Sequence, residues 1–265
     1  MSQSFKAFGT TRQNADYTRK ALKFLTSYKL GSRMYYPAES INYGDYLVPL
    51  CVFELNGTEG NQLTRYAGGA FHFKNGVFIS CKHIFESISS DEKICAKDLN
   101  SSEFFEILNL KCHPRFDFAT FNINISKSGF PLVFHSYLPG TNVQALGFLD
   151  GGKVGSNVII EPRLLKGYVT RVSANPQISI AKSTLEVSFP SLKGFSGMPI
   201  ITNNDLLVGM LYSNAESKIE LHNLSEFEEN GKVLKESIYR VQEFGLAHSI
   251  TDILSFLEDL GINCQ

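Results

Sequence analysis

The sequence predicts an all-β chain whose strands form two small barrels or a sandwich, with a helix near either end. Three observations predict it. Short runs rich in Val, Ile, Leu, Phe and Tyr recur from Asp45 to Ala247. Turn signals such as Asn56-Gly57, Asn75-Gly76 and Asn203-Asn204-Asp205 separate them. Helical spacing of apolar residues occurs only near the two ends.

In chain order, residues 1–45 read as an extension. Tyr17, Ala21, Phe24, Leu25 and Tyr28 recur at helical spacing, and Gly31 follows as a C-cap. This helix is expected to pack on the main body rather than to dock a partner. Leu47 to Leu55, Arg65 to Phe73 and Val77 to Ser80 form the first strands, the last two joined as a hairpin through Asn75-Gly76. Ala67-Gly68-Gly69-Ala70 sets small residues where another backbone can approach closely. Phe104 to Lys111 and Phe118 to Ile125 follow as strands. After Tyr137-Leu138-Pro139-Gly140 a second set runs over 142–148, 158–161, 164–172, 178–181, 185–189, 199–202 and 206–212. Residues 213–236 are polar and acidic (Glu216, Glu220, Glu226, Glu228, Glu229), which predicts an exposed loop or irregular insertion. Ser237 to Ala247 is a last strand. Ile250, Ile253, Leu254, Leu257 and Leu260 then mark an amphipathic helix that stops at Gly261.

The 265 residues are 43% hydrophobic, enough for one large domain or two lobes with real cores. The 25 basic and 26 acidic residues nearly balance, so there is no electrostatic footprint for nucleic acid or an anionic membrane. No stretch approaches the roughly 20 apolar residues of a spanning helix. Met1 to Lys6 lacks the apolar centre of a secretory signal. The five cysteines (Cys51, Cys81, Cys95, Cys112, Cys264) have no metal-type spacing and read as free thiols. A cytoplasmic setting is expected.

Three stretches carry chemistry. Lys193-Gly194-Phe195-Ser196-Gly197-Met198-Pro199 places a serine between glycines, where the backbone can turn so that its own N–H groups face developing negative charge. Ser80-Cys81-Lys82-His83-Ile84 sets a histidine at the end of a buried strand, a rigid place for a general base. His113-Pro114-Arg115-Phe116-Asp117-Phe118-Ala119 sets an aspartate among apolar residues. A buried carboxylate there requires a hydrogen-bonding partner. Taken singly, each has an ordinary explanation: a glycine loop, a strand-end histidine, a turn carboxylate.

As an ordered set they resemble the trypsin/chymotrypsin-like serine protease superfamily, over roughly residues 46–260. Ser-Cys-Lys-His-Ile stands where that family has Thr-Ala-Ala-His, Asp117-Phe118-Ala119 matches its Asp-x-Ala, and Gly-Phe-Ser-Gly-Met-Pro its Gly-x-Ser-Gly-Gly-Pro. The order is His, Asp, Ser, with separations of 34 (83 to 117) and 79 (117 to 196). The resemblance implies two six-stranded antiparallel barrels, 46–137 carrying His83 and Asp117 and 138–265 carrying Ser196 and the C-terminal helix, behind the N-terminal helical extension 1–45. It implies Ser196 as nucleophile, His83 as general base, Asp117 as the group orienting it, and the N–H groups of Gly194 and Ser196 as oxyanion hole. Substrate is implied to lie between Ser188 to Leu192 (with Ser191, Leu192 and Lys193 in contact) and Leu211, Tyr212, Ser213 and Asn214. No acidic residue stands at Ser188 to Leu192, so strict Lys or Arg preference is not indicated.

The chain departs from the pattern at several positions. Phe195 stands where digestive members carry Asp, and no Ile-Val-Gly-Gly-like segment exists, so activation by a new N-terminus is not expected. Met198 replaces a glycine, which predicts a side chain crowding the oxyanion loop. Lys82 neighbours the base and would disfavour imidazolium if it pointed inward. The resemblance is therefore to the intracellular bacterial or viral type. It implies an endopeptidase for protein or peptide substrates with no metal or organic cofactor. Control would come from 1–45, from 213–236 or from a regulatory protein partner.

The weighed alternative is a catalytically silent trypsin-like fold acting as a protein-binding module. An α/β-hydrolase is disfavoured because Met198 breaks Gly-x-Ser-x-Gly, only His222 and His248 follow the serine, and alternating helices are lacking. A metal enzyme is disfavoured because the six histidines show no ligand pair at helical spacing. Gly151-Gly152-Lys153-Val154-Gly155 reads as a glycine-rich hairpin, not a phosphate loop.

Overall fold

The computed structural model describes residues 43–56, 60–101, 103–127, 129, 138–154, 157–173, 184–227 and 233–262. The helix expected near 14–30 and the strand expected at 178–181 lie outside them. A 3₁₀ turn at Tyr43–Asp45 leads into β1 (Leu47–Asn56), β2 (Gly60–Lys74) and β3 (Val77–Ser80). Asn75 and Gly76 both take positive φ (53° and 74°), the geometry of a tight hairpin turn, so β2 returns as β3. A one-turn helix α1 (Lys82–Glu86) and β4 to β7 (Glu92–Lys97, Phe104–Glu106, Leu108–Cys112, Ala119–Asn122) follow. The seven strands form one antiparallel sheet in the order β5-β4-β1-β2-β3-β7-β6. Phe71, Phe78, Ile79, Phe118 and Phe121 belong to its core and are buried.

The rear half holds β8 (Asn142–Val154), β9 (Asn157–Ser173), β10 (Thr184–Val187), β11 (Pro199–Thr202), β12 (Leu207–Phe227) and β13 (Val233–Ser249). They close as a six-stranded barrel, β10-β13-β12-β11-β8-β9. Val143, Val169, Leu185, Val187, Ile200, Leu211 and Ala247 are buried in it. Two curled antiparallel sheets thus make two barrel-like halves, the trypsin-like double-barrel architecture.

The acidic stretch 213–236 corrects the expectation of a loop. Over its described part it continues β12 and β13 as a two-stranded ribbon, paired from Ser213↔Leu246 outward. Gly152 takes positive φ (84°) and its N–H meets Asp150 Oδ1 at 2.9 Å, the expected glycine-rich hairpin at the far end of β8.

Helix α2 (Ile250–Asp259) follows β13. Ser249 Oγ accepts the Asp252 N–H and donates to its carboxylate, a reciprocal N-cap. Gly261 (φ +70°) ends it, and Ile262 N–H returns to the Leu257 carbonyl. Phe256 presses inward on Phe116 (ring centroids 4.5 Å apart) and on Phe118. The helix therefore braces the loop that carries Asp117.

Candidate active site

His83 does not lie on the end of a strand, as the sequence suggested, but in the first turn of α1, after the N-cap Cys81. Asp117 grips it at two points. Its Oδ2 lies 2.6 Å from His83 Nδ1, and its Oδ1 accepts the His83 backbone N–H at 2.9 Å. An ionised carboxylate at Nδ1 fixes the proton there and leaves the Nε2 lone pair free to accept another. Burial pushes the Asp117 carboxyl up, but the hydrogen bonds and charge of His83 outweigh it and hold the group below the usual 3.8. The His83 side chain is 47% exposed against 23% for Asp117, so the imidazole presents an open edge while its partner is sheltered. Lys82 does not point inward: its Nζ pairs with Glu86 at 3.0 Å, one turn along the helix.

The Asp117 loop is itself templated by two buried histidines. His113 Nδ1 accepts the N–H groups of Arg115 (3.2 Å) and Phe116 (3.1 Å), and its Nε2 faces Asp259 Oδ2 in α2 at 3.3 Å. His248 on β13 donates from Nε2 to the Asp117 carbonyl oxygen at 3.0 Å and stacks on Tyr212 with centroids 4.3 Å apart. Burial pushes the His248 imidazolium's pKa below the usual 6.5. With the proton on Nε2, Nδ1 is a buried acceptor that meets no donor among the described residues.

Ser196 sits on the turn that enters β11. Gly194 (φ +96°) and Gly197 (φ +82°) take the left-handed conformations that the turn needs. Strand β2 of the front sheet clamps this turn. The buried Tyr66 hydroxyl donates to the Gly194 carbonyl at 2.7 Å, and Gly69 N–H donates to the Ser196 carbonyl at 3.0 Å. The small residues at 67–70 are thus explained by a close backbone approach. A Cβ at Gly68 would lie 3.1 Å from the Ser196 carbonyl oxygen and 2.5 Å from Ile84 Cδ1. The residue after His83 and the peptide of Ser196 therefore press on the same glycine. Two residues, Leu211 and Gly69, bond to both sides of the site. Leu211 O accepts Gly197 N–H (2.9 Å) and the Cys81 thiol (3.3 Å), while Gly69 O accepts the Ser80 hydroxyl (2.6 Å). The segments leading to His83 and Ser196 are braced on shared struts.

Phe195 N–H is spent on the Leu192 carbonyl and Met198 N–H on that of Phe195. Those of Gly194 and Ser196 meet no acceptor among the described residues, which is what an anion site requires of its donors. Among the described residues no hydrogen bond joins the Ser196 hydroxyl to the imidazole. Such bonds are commonly loose before substrate binds. Phe195 and Met198 do not crowd the loop. Both are fully buried and pack inward, Met198 over Gly69 and both over Gly147.

The expected substrate walls divide. Leu211 is fully buried, and Tyr212 packs on His248, so their side chains serve the core. Lys193, Ser213 and Asn214 are exposed, with Ser191 and Leu192 half-buried. Cys81, His83 and Asp117 bring three donor atoms within 4.8 Å, a spacing a metal could use. Yet Nδ1 and Oδ2 already face each other, and burial holds the Cys81 thiol well above its usual pKa, protonated and bonded to Leu211 O. The arrangement is a hydrogen-bond relay, not a cation cage.

Tyr66, His113 and His248 were missed by sequence reasoning as positioning residues. Only the closeness of His113 to Asp117 in the chain could have pointed to one of them.

No protein-family model matches the chain, and no curated protein matches it. Solved structures do. The inactive form of a serine-to-alanine mutant of M. tuberculosis Rv3671c superposes with a TM-score of 0.52 at 13% identity, covering 82% of this chain and 87% of that one. The active form of the Rv3671c protease gives 0.50 at 13%, covering 83% and 82%. The HtrA-type protease AlgW with a tripeptide gives 0.50 at 14%, covering 83% of this chain and 62% of that one. At such identities the likeness is one of fold.

Proposed function

We propose that this chain is a serine endopeptidase acting on protein or peptide substrates through Ser196, His83 and Asp117. What carries the reading is the two-point Asp117–His83 pair, braced on the same struts as a serine turn with two unspent N–H groups. The protease fold neighbours support it, one of them with a tripeptide. Ser196 Oγ attacks the carbonyl carbon as its proton passes to His83 Nε2. Asp117 holds the imidazolium, and the oxyanion meets the N–H groups of Gly194 and Ser196, each such donor worth on the order of 10²–10³ in rate. Collapse breaks the C–N bond, and His83 returns the proton to the leaving amine. Water, activated by the same imidazole, then releases the acyl group. Side chains and water complete this chemistry without metal or organic cofactor. The same proposal divides the chain into lobes 46–137 and 138–265, and the free thiols of Cys51, Cys81, Cys95 and Cys112 support a reducing, cytoplasmic setting.

A fluorophosphonate probe tests it. Labelling of wild type that disappears in Ser196→Ala and falls sharply in His83→Ala is the expected result. Equal labelling of wild type and Ser196→Ala removes the nucleophile. Absence of labelling in folded wild type favours instead the silent, protein-binding use of the fold.

A further inference from the structure

The two segments expected to flank the substrate's specificity side chain are laced together rather than open. Asn214, near the barrel end of the β12 ribbon, bonds one residue of the opposite segment twice. Its Oδ1 accepts the Ser191 N–H at 2.5 Å, and its Nδ2 donates to the Ser191 carbonyl at 2.8 Å. A side-chain amide that satisfies both groups of one residue acts as a rung between β12 and a segment that shares no backbone ladder with it. Deeper in, Gly245 N–H donates to the Phe189 carbonyl at 2.7 Å, and a Cβ at Gly245 would lie 2.8 Å from that oxygen and 2.9 Å from Val187 Cγ2. The segment 189–191 is therefore tied to β13 by backbone at Phe189 and to β12 by the Asn214 amide at Ser191. No charged side chain enters either tie.

We propose that Asn214 is a specificity-determining bar. It restricts the residue N-terminal to the scissile bond to small side chains: Gly, Ala or Ser. This rests on the peptidase reading above. A larger side chain must break both bonds to Ser191 before it can seat. Two net hydrogen bonds correspond to a preference of about 10- to 100-fold in kcat/KM for small over large residues. Ser191 and Asn214 lie at the surface, so water can satisfy the freed groups, and removal of the bar need not cost the fold.

The test combines a proteome-derived peptide library, with cleavage sites read by mass spectrometry, and matched peptides with Ala, Leu or Phe before the scissile bond. Wild type and Asn214→Gly are compared, each normalised by fluorophosphonate titration. Wild type is expected to cut after Gly, Ala and Ser. Asn214→Gly is expected to raise the Phe-to-Ala ratio of kcat/KM by about 10- to 100-fold. Wild-type cleavage mainly after Leu, Phe, Lys or Arg overturns the inference, as does an unchanged ratio in the variant. Either result with normal probe labelling leaves the nucleophile assignment standing. No labelling removes both.

Discussion

Tyr66→Phe isolates one contact between the halves. The Tyr66 side chain is buried, and burial pushes its phenol well above the usual pKa of 10, so the hydroxyl remains a donor. Its partner is the Gly194 carbonyl at 2.7 Å, and a Cβ on Gly194 would lie 2.6 Å from the Tyr66 ring, so ring and turn are in tight register. Phenylalanine keeps the ring and deletes only the donor. The half-buried carbonyl then loses this donor, which costs about 1 kcal/mol of stability in urea titration. The same carbonyl fixes the rotation of Gly194, whose N–H is proposed to face the oxyanion. If that N–H drifts, kcat falls by about 10-fold or more, toward the 10²–10³ of a lost donor, while KM changes little. Steady-state kinetics on a cleaved peptide reads the split. A variant that loses the stability but keeps wild-type kcat refutes the positioning argument and leaves Tyr66 as cement.

Stability below neutrality should depend on His248. Burial lowers its folded pKa below 6.5, opposed by the Asp117 carbonyl contact and by the charges of Asp117 and Asp252, and reinforced by His113. The unfolded chain therefore takes up a proton below about pH 6.5 that the folded chain refuses, and stability falls by up to about 1.4 kcal/mol per pH unit. His248→Gln retains an N–H donor for Asp117 and removes the titration, so its slope between about pH 6.5 and 5 should be shallower, by at most one proton. Asp117 stays outside that window because its folded value lies below 3.8. An equal slope in both proteins would count against a neutral, buried His248. Gly197→Ala should be far worse than Gly69→Ala in urea titration. The first adds strain of about 1–3 kcal/mol at φ +82° and drives a methyl to 2.1 Å from the Gly69 carbonyl oxygen, whereas the second meets the mobile end of Met198. Similar losses would contradict the shared strut at Gly69.

The double-barrel fold was legible where β-rich apolar runs end in a turn signal, as at β2, Asn75-Gly76 and β3. It was not legible in β4, Glu-Lys-Ile-Cys-Ala-Lys, which is half-buried on nearly every residue and owes its place to pairing with β1. The ribbon beyond Ser213 was missed for a related reason. Residues 216–222 are exposed or half-buried, so no period of two marks them, and the acidic character read as a loop. The Ser, His and Asp were legible because glycine chemistry and strand ends leave local marks. Tyr66, His113 and His248 act across separations of 128, 146 and 131 residues, and such bonds have no local signature.

Those long-range bonds decide how the site is held. Gly194 hangs from Tyr66, Ser196 from Gly69, Cys81 from Leu211, and Asp117 from His248, each bond running from one half to the other. The barrels are thus registered at the site itself, not at a distant interface that the site merely inherits. Phe195 buries its ring beside Met198 and Gly147, so the turn is held by apolar packing and neutral hydrogen bonds. On the proposed peptidase reading, control would act on access to the serine turn rather than on its assembly, because the turn is already tied at Gly194 and Ser196.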